Sequence, residues 1–79
     1  MRPDRQNPYG LAPSDRVFGP CAMAIVIPSS CRGPWARGVL LEIERPRKVG
    51  DPTHARVLLD GGLGVATWRC SDLNPEESL

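Results

Sequence analysis

No segment of ten or more residues repeats its apolar side chains at helical spacing, and this property narrows the possible folds more than any other. Apolar residues come instead in short runs bounded by proline and glycine. A chain without crossover helices cannot assemble parallel strands, whose connections take about a dozen residues or more. An antiparallel all-β domain remains. The 79 residues allow one such domain. At that size a closed barrel, a staple such as a metal or disulfide, or association with another chain is needed to complete the core.

Residues 1–20 carry Pro3, Pro8, Pro13 and Pro20 among polar residues and glycine. That composition neither sustains a helix nor donates steadily to a sheet, so a disordered tail is expected there, with Val17-Phe18 docking as a lead-in. The domain is expected over residues 21–75, with 76–79 disordered. Its first strand is placed at Cys21–Ile27, a continuous apolar run between Pro20 and Pro28 that suits burial on both faces. Pro28–Pro34 is dense in turn formers. Trp35–Glu44 is the second strand, with Val39, Leu41 and Ile43 on an apolar face and Leu40, Glu42 and Glu44 on a mostly polar one. Gly38 within it marks a bulge or the close approach of another backbone or ring. An exposed connection, 45–52, leads to the third strand, His54–Asp60, with Ala55, Val57 and Leu59 on one face. Asp60-Gly61-Gly62 supplies the positive φ angles of a hairpin turn, and Val65–Cys70 is the returning strand. Ser71–Pro75 closes the domain as a turn, Leu73 plugging one end.

Ten Lys plus Arg stand against nine Asp plus Glu, so no global field draws the chain to nucleic acid or an anionic surface. Nine of the ten cations are Arg, which suits planar stacking and bidentate phosphate contacts but equally follows from a GC-rich genome. No apolar stretch approaches the roughly 18 residues of a membrane span, and the first residues do not resemble a signal peptide. A cytoplasmic protein without a membrane partner is expected. Cys21, Cys31 and Cys70 are odd in number, which argues for reduced thiols rather than a disulfide framework.

The order of pieces, a buried strand, a turn-rich loop, a Gly-containing strand and a tight hairpin ending in a Leu-containing turn, resembles small antiparallel SH3-like barrels of four to five strands. Arg32-Gly33-Pro34-Trp35-Ala36-Arg37-Gly38-Val39 is similar to the Gly-rich KOW-type motif of ribosome- and transcription-associated proteins, chiefly through Gly33-Pro34 and Gly38-Val39. A second resemblance, over residues 18–73, is to plasmid-encoded type II dihydrofolate reductases. It rests on Trp35, Val65-Ala66-Thr67-Trp68 and Leu73. In that family the last strand reads Val-Gln-Ile-Tyr, and four chains surround a pore in which it holds a nicotinamide cofactor and folate. The resemblance therefore implies an oligomeric, NADPH-dependent enzyme. Here Ala66 stands at the glutamine position, and a methyl group supplies neither an amide donor nor an acceptor. No cofactor is assigned.

Cys21, Cys31, Cys70 and His54 are zinc-ligand types, but no Cys-x-x-Cys pair occurs and lone cysteines in apolar runs are ordinarily small core residues. No metal site is assigned. His54 with Asp60 and a hydroxyl or thiol lacks any spacing that enforces a catalytic arrangement, and Gly61-Gly62-Leu63-Gly64 does not open into a phosphate-binding helix. No catalytic residue is assigned either. Two binding surfaces remain. Trp35, Trp68, Leu40 and Leu58 are candidates for contact with a protein partner or a second copy, because Trp is enriched at interface hot spots. Arg45, Arg47 and Lys48 in one loop, with Arg37, Arg56 and Arg69 beside the Trp rings, are candidates for single-stranded nucleic acid. The leading expectation is a non-catalytic, self-associating binding module that contacts a protein partner.

Overall fold

Alternation of side chains, more than apolar content, decides which segments of this chain pair. The computed structural model describes residues 10–46 and 48–76. They form strands β1 (Arg16–Pro20), β2 (Trp35–Glu44), β3 (His54–Leu59), β4 (Gly64–Arg69) and β5 (Asn74–Pro75), with short 3-10 turns at Cys21–Met23, Asp60–Gly62 and Cys70–Asp72. No α-helix occurs among the described residues. The strands make one antiparallel sheet in the order β4-β3-β2-β1-β5.

The first strand is not where apolar content places it. Cys21–Ile27 is no strand: it begins as a 3-10 turn and pairs with the sheet at one isolated bridge, Val26 to Thr67 on the outer edge of β4, while Cys21, Ala24 and Ile27 pack against the core. Met23, Ile25 and Val26 are exposed. The run is apolar on every side and offers no period-2 pattern to choose an inner face, so it lies as a strap along an edge. β1 comes instead from the expected tail. Val17 and Gly19 face inward while Arg16, Phe18 and Pro20 face outward, and Pro20 stands at the strand's end. Leu11 is fully buried as well. The ordered domain therefore includes residues 10–20, and its boundary does not lie at residue 21; residues 1–9 and 77–79 of the expected disordered ends lie outside the described residues.

β2 spans the expected residues, but its faces differ from a simple alternation. Ala36, Gly38 and Leu40 point inward, then a bulge shifts the register between Leu40 and Glu42. Ile43 is thereby brought to the inner side while Leu41 is exposed. Gly38 is not the bulge. Its missing side chain makes room for β3: a Cβ there would fall on the Leu58 carbonyl, 2.8 Å from its carbon and 2.9 Å from Leu59 Cα. On β3, Ala55, Val57 and Leu59 are buried as the alternation requires. The hairpin turn has Gly61 and Gly62 at φ of 75° and 69°.

One inner side chain spans the sheet. Trp68, on β4, is completely buried, and its indole Nε1 donates to the Pro20 carbonyl at the end of β1, at 2.9 Å. A side chain on Gly19 would press on that ring and on Leu73 at 3.0 Å, so Gly19 makes room for the indole. Leu73 closes the same end after the Cys70–Asp72 turn, and β5 follows at once to pair with Val17 and Phe18. Ser30 adds a hydrogen bond to the Leu63 carbonyl at 3.0 Å, fastening the 21–34 loop to the β3–β4 turn.

Candidate interaction face

The outward side chains of the sheet fall into cross-strand rows. Arg16, Val39, Leu58 and Val65 stand side by side on β1, β2, β3 and β4. Phe18 pairs with Arg37 in the next row, and Pro20 with Trp35 beyond it. Trp35 is 52% exposed and meets Phe18 edge to face, ring centroids 5.5 Å apart at 63°. Leu58 is 47% and Leu41 43% exposed. Together the apolar members of these rows and Leu41 make a surface on which Trp35, Leu41 and Leu58 are exposed and Phe18, Val39 and Val65 half-buried.

Charged groups frame this surface at one corner. The Arg16 guanidinium contacts Asp60 through two nitrogens, at 2.9 and 2.5 Å, and Glu76 through a third at 2.7 Å. The hydrogen bonds from Arg16 hold the Asp60 carboxyl below its usual range, with Arg37 adding a smaller electrostatic contribution of the same sign. Arg56 is paired with Glu42 at 2.9 Å. Among the described residues, no ion pair engages Arg37 or Arg69.

The expected protein-binding set divides. Trp35 and Leu58 lie on the outer face, whereas Trp68 and Leu40 are core residues at 0% and 1% exposure and cannot meet a partner. Their positions follow from register: Trp68 opposes Ala55 and Leu40 opposes Val57, both inward-facing residues of β3. The expected cationic set divides too. Arg37 lies beside Trp35, and Arg56 and Arg69 share its face, but Arg45 and Lys48 follow the far end of β2, roughly 30 Å along the strand from Trp35. Arg47 lies outside the described residues. A cleft of about 240 Å³ there is lined by Glu44, Arg45, Pro46, Asp51, Pro52 and His54, so carboxylates offset its cation.

The positions through which the reductase resemblance implies ligand contact are both inward. Ala66 and Trp68 are completely buried, whereas Val65 and Thr67 are the outward pair of β4. A ligand on the sheet surface would meet neither. Among the described residues, no three His, Cys, Asp or Glu side chains converge as a metal site, and no helix is long and apolar enough to cross a membrane.

Phe18, Val39, Leu41 and Val65 belong to the face but were not read as such from the sequence. The alternation of Arg16-Val17-Phe18-Gly19-Pro20 carried the signal for Phe18, obscured by surrounding prolines. No protein-family model matches the chain, and no curated protein or solved structure matches it either.

Proposed function

We propose that the protein is a non-catalytic binding module, an SH3-like barrel that self-associates through the outer face of its sheet and presents the same face to a protein partner. The observation that carries this reading is the contiguous apolar surface on which Trp35, Leu41 and Leu58 are exposed and Phe18 and Val39 half-buried. A surface of that kind on a small domain marks an interaction site. What supports closure into a barrel is Trp68 of the edge strand β4, whose indole reaches the Pro20 carbonyl of β1 across two intervening strands. A twofold contact would place the Val39–Leu58 row of one copy against that of another. Light scattering across a concentration series tests it. The expected result is a dimer that becomes monomeric in Leu58→Glu, with the circular dichroism spectrum of the fold retained. A wild-type monomer at the highest soluble concentration would remove self-association.

A second reading is favoured by Arg37, which has no ion-pair partner among the described residues and lies next to the exposed Trp35 ring. A base stacked on Trp35 would place its phosphate near that guanidinium. Anisotropy of short labelled DNA and RNA strands at low salt checks it. Binding that weakens with salt and is lost in Arg37→Ala supports this reading, and absence of binding to either strand dismisses it.

A further inference from the structure

Cys21 and Cys31 are ten positions apart in sequence, yet their Sγ atoms lie 4.0 Å from one another. Both thiols are half-buried, open enough for a small reagent and sheltered enough to be held in place. The backbone fixes each one. Cys21 N–H donates to the Pro34 carbonyl at 3.0 Å, across the neck of the 21–34 loop, and Cys31 N–H donates to the Pro28 carbonyl at 3.0 Å. A disulfide has its sulfurs at about 2.04 Å, so each would need to move only about 1 Å, within reach of side-chain rotation. Cys70 is buried in the core and belongs to a different environment.

We propose that Cys21 and Cys31 form a reversible disulfide by exchange with low-molecular-weight disulfides, and that this bond clips the loop carrying the β4 strap. The chemistry balances without a further reactant. The thiolate of one cysteine attacks the reagent disulfide, forms a mixed disulfide and releases one thiolate. The second cysteine's thiolate attacks the protein sulfur of that mixed disulfide, forms the Cys21–Cys31 bond and releases the other. Two protein thiols are oxidised and one reagent disulfide is reduced to two thiols.

The clip would act on the edge of the sheet. Between the two cysteines, Ile25 and Val26 N–H groups both donate to the Thr67 carbonyl, at 2.8 and 3.3 Å, and Thr67 N–H donates back to Val26 at 2.8 Å. These bonds cover β4, an edge strand of the sheet. Closing the loop reduces the freedom of the strap to leave, so oxidation protects an edge that reduction leaves easier to open. This inference stands independently of the outer-face reading.

The test equilibrates the full-length protein with mixtures of reduced and oxidised glutathione, native and in concentrated urea, followed by acid quench, alkylation and peptide mapping by mass spectrometry. The expected product in the native protein is the Cys21–Cys31 disulfide, formed at an equilibrium constant at least tenfold above the urea value, because folding holds the sulfurs together. By linkage, the same factor appears as stabilisation of the oxidised form in urea unfolding. Cys21→Ser and Cys31→Ser should each instead accumulate a glutathione mixed disulfide on the remaining thiol, and slower hydrogen exchange at Thr67 on oxidation would locate the clip. A native-to-urea ratio below ten, or a native product dominated by mixed disulfides or pairing with Cys70, would overturn the proposal.

Discussion

At the scale of single residues, the two tryptophans separate core from surface. Trp68 is enclosed on all sides, with its only polar atom satisfied by Pro20, while Trp35 has half its area in solvent. Truncating a buried Trp to Ala costs about 3–5 kcal/mol, and one small hydrophobic core seldom supplies more than about 3–5 kcal/mol in total. Trp68→Ala should therefore leave little folded protein, whereas Trp35→Ala should stay within about 1 kcal/mol of wild type because the lost ring was already wet. Urea titration followed by far-ultraviolet circular dichroism compares them directly; similar midpoints for the two variants would contradict this assignment of core and surface. A second expectation concerns Cys31. Burial and the adjacent Cys21 thiol push the Cys31 thiol above its ordinary range. Its alkylation in the native, reduced protein should therefore be slower than that of a free cysteine at neutral pH and accelerate only at higher pH than a free cysteine does. Removing the neighbour in Cys21→Ala should move that acceleration to lower pH, a shift read from the pH profile of the alkylation rate.

At the scale of elements, glycine and one ion cluster govern how strands meet. Ala at position 38 would drive its methyl into the backbone of β3 at Leu58, where no flexible side chain can yield, so Gly38→Ala should cost about 3 kcal/mol, the upper end of ordinary overpacking. Thermal unfolding should show it, and a variant as stable as wild type would mean that β2 and β3 lie farther apart. Arg16 joins β1 to Asp60 in the β3–β4 turn and to Glu76 just after β5. Because Asp60 titrates lower when folded than when unfolded, its contribution is present above the unfolded value of about 4 and disappears as pH falls through the folded one. Asp60→Asn should accordingly be less stable than wild type near neutral pH, with the difference closing in acid and shrinking with salt, since the pair is exposed. The elements with clean alternation were legible in the sequence: β3, and the Gly61-Gly62 hairpin that returns it into β4. β1 was not, because Pro13 and Pro20 read as a tail although only the end of a short strand has to accommodate one of them. The two faces of β2 were misread for another reason. A bulge at Leu41 changes the inward set midway, and an amino-acid pattern does not record that partner strand. The exposed half of the candidate face, Trp35 and Leu58, could be read from composition and alternation; the exclusion of Trp68 and Leu40 depends on register across three strands.

At the scale of the whole molecule, the residues before Cys21 complete the fold. β1 is the middle member of β2-β1-β5, so its loss would leave the inner edge of β2 open and β5 without a partner. The same segment supplies the Pro20 carbonyl that accepts from Trp68, the Gly19 backbone that makes room for the ring, and the buried Val17 and Leu11. Two further hydrogen bonds fasten it to β2, from Ser14 N–H to the Leu40 carbonyl and from Leu40 N–H to the Asp15 carbonyl, each at 2.8 Å. A chain beginning at Cys21 would keep β2, β3 and β4, but that meander would expose one face of Trp68 and Leu40 to water. Three strands can be stable when their hydrophobic face is covered; here the cover is β1 itself. The shortened chain should lack a cooperative thermal transition and lose the near-ultraviolet circular dichroism of a fixed tryptophan, both of which the full-length chain should display. If it instead unfolds cooperatively with that signal intact, the meander carries its own core and β1 is only an accessory strand. The complete burial of Leu11 and Val17 within the core cluster argues for the first outcome.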